Sequence, residues 1–251
     1  MKILKSLDRV MKKALHGDRK RYQYYADGLG VRGRSLTFMT EPRFAQAWQD
    51  VSAANDPHWP DHTPDIRWRA HVAVWAAEQG LRLDGDFAEF GVFTGLLAQM
   101  ILRNTDFARS GKRMYLFDTF SGIPQSSQTA DEASKAERFN AHLYNRDYYD
   151  VAAAFFASYP CVKLVRGELP GSLDGVPFTK LAYVSVDLNV AKPEIEVIEA
   201  IWDRLSTGAF VVLDDYGFKG HEVQHDAWNR FAARVGRRIL TSPTGQGLLQ
   251  R

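Results

Sequence analysis

From residue 86 onward the chain alternates short β-rich apolar runs with runs of helical periodicity. The pattern predicts strands over 86–90, 113–117, 162–166, 181–187 and 209–213, with helices over 95–103, 147–158, 193–205 and 221–235. Strands interleaved with helices leave each strand to be joined to the next by a crossover, which yields parallel β-α-β units and an open, doubly wound sheet. The fold class expected is therefore α/β, Rossmann-like and mostly parallel. Two further β-like runs, RRILTS (237–242) and GLLQR (247–251), are separated by PTGQ and read as an antiparallel hairpin at one edge.

A chain of 251 residues with 45% hydrophobic and 25% charged residues can bury one sizeable core. The net charge of +2 gives no field that would mark a nucleic-acid binder. The one cysteine, Cys161, cannot close an internal disulfide and stands at the start of an apolar run, as a small core side chain would. No apolar stretch approaches the ~18 residues needed to span a bilayer, and the N-terminus has no uninterrupted signal-like core. A reducing, cytoplasmic location is expected.

Residues 1–64 read as a separate helical cap or arm, and residues 65–251 as the main domain. Residues 1–25 carry eight Lys or Arg against two Asp. Ile3, Leu4, Leu7, Val10, Met11, Ala14 and Leu15 recur at helical spacing. Such a basic amphipathic helix packs on its own domain or on a second copy of the chain, or lies on an anionic membrane surface. Thr63-Pro64 reads as an N-cap with proline at the first helical position, opening a helix over about 65–79. The polar segment 125–148 interrupts the β/α rhythm and is expected to be a lid or an unstructured insertion.

In an open parallel sheet, ligands bind outside the carboxyl ends of the strands near the point where strand order reverses. The first such end is EFGVFTG (89–95). Gly91 suits a tight turn out of the strand, and Gly95 suits close approach of the next helix to the sheet. Phe93 replaces the middle glycine of a dinucleotide fingerprint, which disfavours an NAD-type oxidoreductase. The second end, YLFDTFSGIP, places Asp118 where a carboxylate can accept both hydroxyls of a ribose, or simply cap a loop. VSVDLN and VVLDDY bring Asp187, Asp214 and Asp215 to two further strand ends. Three converging carboxylates repel unless a cation neutralises them, and an all-oxygen set suits Mg²⁺ or Mn²⁺.

DFAEFGVFTG, YLFDTFSGIP, VSVDLNVAKPE and GAFVVLDDYG, in this order and spacing, resemble the macrocin O-methyltransferase family of class I S-adenosylmethionine (SAM)-dependent methyltransferases. The resemblance implies methyl transfer to a hydroxyl of a sugar, a glycosylated small molecule or a glycan precursor, with a divalent metal. It implies cofactor contacts from Glu89, Gly91, Thr94, Gly95, Asp118, Ser121 and Gly122, and metal ligation by Asp187, Asp214 and Asp215. The chain departs from the family's D-x-D-x-Y pattern, carrying Asn189 and Ala191.

A sugar hydroxyl must lose its proton to attack. Asp187, His221 and His225 are candidates to accept it, because they sit at or just after the metal-bearing strand ends. His221 and His225 are four apart, a spacing that also fits a surface helix with solvated imidazoles. Lys192 is a candidate for substrate oxygens or for capping the next helix. Trp48, Trp59, Trp68 and Trp75 offer either a sugar-stacking wall or core packing. A catalytically idle methyltransferase fold serving as a binding subunit is the remaining alternative. An unused anionic cluster is electrostatically costly, and this weighs against it.

Overall fold

The computed structural model describes residues 22–251, so the basic N-terminal helix expected over residues 3–15 lies outside the described residues. The arm that follows is not wholly helical. It opens with a two-stranded antiparallel hairpin, β1 (Tyr24–Ala26) and β2 (Leu29–Val31), turned by Asp27 and Gly28, both at positive φ. A single helical turn, Thr37–Thr40, leads into α1 (Pro42–Asn55), whose proline stands at the first helical positions. The arm also shares the main domain's core. Tyr24, Val31, Phe38, Phe44 and Val51 pack in one cluster with Ala70, Phe87, Ile101 and Tyr183.

The main domain runs α2 (Arg67–Leu81), β3 (Asp86–Phe90), α3 (Leu96–Asn104), β4 (Met114–Asp118), α4 (Ala130–His142), α5 (Tyr149–Phe156), β5 (Val162–Arg166), β6 (Leu181–Val186), α6 (Ala191–Ile201), β7 (Leu205–Leu213), α7 (Glu222–Arg234), β8 (Leu240–Thr241) and β9 (Gly247–Gln250). These strands form a seven-stranded sheet ordered β5-β4-β3-β6-β7-β9-β8. The first five are parallel, and β9 and β8 close the edge antiparallel. The helix expected to reach 205 ends at Ile201, and β7 starts four residues earlier than its apolar run. Leu205 already pairs with Leu181 across an irregularity in β6.

Successive strand residues serve opposite faces, the geometry that a sheet covered on both sides requires. Phe87, Met114, Leu116 and Val212 face the layer of α1, α2 and α3. Ala88, Phe90, Phe117, Val184, Val211 and Leu213 face the layer of α6 and α7. The chain leaves β3 for β4 on one side and later returns to β6 on the other. The carboxyl ends of β3 and β6 therefore flank the crevice where such sheets bind ligands.

Segment 125–148 is ordered as the helix α4. Thr129 and Glu132 form a reciprocal capping box at its start, satisfying amides that the helix leaves free. The other Glu132 oxygen accepts from the Ala191 amide at 2.7 Å, and Asn140 exchanges two hydrogen bonds with the backbone of Ile123. Polar composition here reflects anchoring through side chains rather than an unstructured chain.

Candidate active site

The ladder continues one residue past the strand ends: Asp187 N donates to Phe90 O, Asp214 N to Val186 O and Gly91 N to Phe117 O, at 2.8, 3.0 and 2.9 Å. This brings the motif residues to one level. Gly91 has φ +87°, and a Cβ there would lie 1.8 Å from the Asp187 carbonyl oxygen. Only glycine permits that approach. At Gly95, with φ +78°, a Cβ would lie 2.5 Å from the Phe156 ring.

Two cavities meet across this loop. The first opens beside the ends of β3, β4 and β6. Asp118, Gly122, Ile123, Leu169, Val190 and Pro193 are among its walls. The second is lined by Trp59, Arg69, Glu89, Thr94, Ser185 and Asp214. Gly91, Phe93, Tyr144 and Asp187 line both. Phe93 has φ +53° and packs edge-on against Trp59, Tyr144 and Tyr148.

Asp118 carries more structure than a ribose contact needs. One of its oxygens accepts from the Val92 and Phe93 amides at 2.6 and 2.8 Å, and the other from the Phe120 amide at 2.7 Å. Thr119 Oγ1 also lies 3.4 Å from Asp118 Oδ1, but its single proton has a closer acceptor in Gly122 O at 2.6 Å, so of about four lone-pair sites roughly one remains for a ligand hydroxyl. Its carboxylate thus ties the loop after β3 to the loop after β4. Gly122 lines the first cavity, while Ser121 is exposed on its outer rim.

Asp187, Asp214 and Asp215 converge, each offering an oxygen within 4.8 Å of the others. One Asp214 oxygen accepts from Arg69 Nη1 at 2.5 Å and the other from Gln246 Nε2 at 3.0 Å. Asn189 Nδ2 donates to Asp187 Oδ1 at 3.0 Å. Burial and the two neighbouring aspartates hold Asp187 well above the usual carboxylate range, with Arg69 opposing. His221 Nδ1 lies 3.1 Å from Asp215 Oδ2 as a charge contact, yet no donor meets that buried oxygen with hydrogen-bond geometry. Burial disfavours the His221 imidazolium, but Asp215 beside it outweighs this, and the pKa is raised.

A buried network supports this wall. Glu194 accepts from Trp228 Nε1 and Gln224 Nε2 at 2.7 and 2.9 Å, and Lys135 of α4 reaches both Gln224 and His221. Burial pushes Glu194 up to about 7. Glu89 is raised to about 8 by burial and then by the charges of Asp214 and Asp118.

His225 does not join the cluster. Its side chain is 43% exposed and turns to Tyr216, Asn229 and Asp226 on the outer face of α7. Lys192 donates to the Ser126 carbonyl. Trp68 packs on Phe38 and Trp48 against the same core, Trp75 is 43% exposed, and only Trp59 of the four lines a cavity at this site.

A family model described as Macrocin-O-methyltransferase (TylF) matches residues 71–241. The chain belongs to the macrocin O-methyltransferase family. The matched span includes every strand from β3 to β8 and the candidate residues from Glu89 to His225, while Trp59, Arg69 and Gln246 lie outside it. One relative is the 8-demethyl-8-(2,3-dimethoxy-alpha-L-rhamnosyl)-tetracenomycin-C 4'-O-methyltransferase of Streptomyces olivaceus. It is 28% identical over 159 residues, covering 59% of this chain and 59% of the relative's length. Another is the mycinamicin III 3''-O-methyltransferase of Micromonospora griseorubida, 27% identical over 207 residues, covering 76% and 77%. The fold matches that of the O-methyltransferase NovP (TM-score 0.69, 20% identity, 83% of this chain and 97% of NovP). It also matches the calicheamicin methyltransferase CalS11 (TM-score 0.57, 19% identity, 88% and 99%). These matches identify a Rossmann-like class I methyltransferase fold.

Three further residues beside the carboxylates or lining the cavities, Arg69, Tyr144 and Gln246, escape a reading of the sequence. Arg69 left a signal: it shares a helical face with Ile66, Ala73 and Ala77, so a charge interrupts a buried stripe. Tyr144 and Gln246 lie in polar loops and left none. Among the described residues, no helix is long and apolar enough to cross a membrane.

Proposed function

We propose that this chain is a SAM-dependent O-methyltransferase acting on a hydroxyl of a sugar carried by a small molecule, with Mg²⁺ or Mn²⁺ held by Asp187, Asp214 and Asp215. The observation that carries the reading is the convergence of those carboxylates, of which Asp187 lines both cavities and shares the first with Asp118. The two relatives support the acceptor class: their names describe 4'-O-methylation of a rhamnosyl tetracenomycin and 3''-O-methylation of mycinamicin III.

The residues fit both groups. Asp118 retains an acceptor site for a ribose hydroxyl, the apolar residues Ile123, Leu169 and Val190 suit an adenine, and Thr94 Oγ1 and Ser185 Oγ are buried without partners at the second cavity. At the carboxylates, three negative groups face one guanidinium and a buried Asp215 oxygen lacks an aligned donor, as a divalent-cation site requires.

Bound SAM supplies an activated methyl group, and a bound metal would lower the pKa of the acceptor hydroxyl and fix its direction. The protein's own work is then positioning, because methyl transfer needs the acceptor oxygen in line at ~3–3.5 Å. Tyr144 and Phe93, shared by both cavities, bound the space in which the two reactants meet. Asp187, half-buried and with its proton affinity raised, is placed to accept the hydroxyl proton in its carboxylate form. His221 steadies Asp215 on the far side of the cluster. The α4 segment forms the outer wall and acts as a lid whose closure excludes water. A cytoplasmic location belongs to the same reading, since the cofactor and the free Cys161 thiol suit it.

The test is methyl transfer to a glycosylated acceptor after chelation. Activity should vanish, return with Mg²⁺ or Mn²⁺, and leave SAM affinity nearly unchanged. Full activity in chelated protein would overturn the metal assignment and make His221 the leading proton acceptor.

A further inference from the structure

Among the described residues, Arg69 bonds both the carboxylate cluster and the N-terminal hairpin. It projects from the first turn of α2 with its side chain largely but not fully covered. Its Nε and Nη2 form a bidentate pair with Asp27 at 2.7 and 2.9 Å, while Nη1 bonds Asp214 Oδ2 at 2.5 Å. Asp27 is the turn residue between β1 and β2, itself at φ +53°. Side-chain exposure is 16% for Arg69, 15% for Asp27 and 3% for Asp214, so water screens this chain of charges weakly.

We propose that Arg69 is a resident counter-cation that opposes the divalent metal at Asp214, and that Asp27 of the hairpin sets the strength of that opposition. The inference rests on the metal reading above. A cation bridging Asp187, Asp214 and Asp215 stands close to the guanidinium that already contacts Asp214, and like charges at such range repel strongly when partly desolvated. Asp27 neutralises part of the guanidinium charge from its other side. Metal affinity is therefore coupled to docking of the hairpin, and by linkage a bound metal changes the hold of Arg69 on both aspartates. A purely structural Arg69 would predict otherwise: every loss of an Arg69 contact would loosen the cluster and weaken metal binding.

The two accounts separate in titrations of the full chain with Mn²⁺, read by calorimetry and by the paramagnetic resonance of free Mn²⁺. Arg69→Gln keeps an amide donor for Asp214 and removes the charge, so Mn²⁺ should bind roughly tenfold tighter or more. Asp27→Asn leaves the guanidinium less neutralised, so binding should weaken several-fold, and Arg69→Lys should stay near the parent. Mn²⁺ binding to the parent with Arg69→Gln unchanged or weaker would overturn this inference alone. Lack of Mn²⁺ binding by the parent and by Arg69→Gln would overturn the metal reading and this inference with it. Should Arg69→Gln lose its cooperative melt, Asp27→Asn decides: weaker binding supports the counter-cation, and equal or tighter binding overturns it.

Discussion

Glu89 and Ser185 are register partners on the parallel strands β3 and β6, both buried, and the Ser185 hydroxyl has no hydrogen-bond partner. A carboxylate and a hydroxyl left so at the base of a cavity are ready to receive a polar ligand, and the methionine end of SAM carries a positive charge suited to Glu89.

Glu89 titrates near 8, because burial and the charges of Asp214 and Asp118 favour its neutral form. A cation docking beside it favours the carboxylate, lowers its pKa and expels the proton. SAM affinity should therefore rise from about pH 6 to about pH 8 and level off above. Calorimetry in two buffers of different ionisation enthalpy should register proton release at pH 7, and Glu89→Gln should remove both the release and the pH dependence. A parent chain whose SAM affinity ignores pH would place the cofactor's charge elsewhere.

Asp118→Ala should harm both folding and cofactor binding. The loss of one charge-assisted hydrogen bond to ribose should weaken SAM by about 1.5–3 kcal/mol. The amides of Val92, Phe93 and Phe120 lose their acceptor together, so the melting midpoint should drop as well. Melting and calorimetry measure the two effects separately. Unaltered SAM affinity would confine Asp118 to bracing the loops.

Glu194 makes stability fall with rising pH. Its folded-state pKa, about 7, lies above the ordinary 4.5, so the folded chain keeps a proton that the unfolded chain releases. Its stabilisation is complete below about pH 4.5 and is lost as pH climbs through 7, an effect of roughly 3 kcal/mol. Glu89 adds a loss of the same sign that extends to pH 8. Denaturant melts across this range should show Glu194→Gln flattening the slope below pH 7 and leaving the part above it. A parent slope retained in full by the variant would show that other groups carry it.

Periodicity made the sheet legible, since a parallel strand buried on both faces reads as an apolar run and its helix as a 3.6-residue stripe. The strand-end carboxylates were legible for the same reason: Asp118, Asp187, Asp214 and Asp215 each follow directly on such a run. The hairpin of 24–31 was not, because three-residue strands are too short to set a period, and Asp27-Gly28 is a turn signal without flanking alternation. Segment 125–148 misled through composition. Glu132 and Asn140 are polar because they bond backbone at Ala191 and Ile123, contacts that no local pattern encodes. His225 shares a helix face with His221 but stands one turn, about 6 Å, further along α7, where its ring turns to Tyr216 and Asn229 rather than to the carboxylates.

The crowding at Gly91 makes one backbone contact the gauge between two neighbouring strand ends. With the Asp187 carbonyl where any side-chain carbon would have to be, the turn after β3 and the turn after β6 are held at one fixed separation. A single methyl group added at this position would prise the two segments apart. Side chains such as Trp59 can be exchanged around the two cavities without touching this contact, so the spacing of the β3 and β6 ends is set by backbone alone.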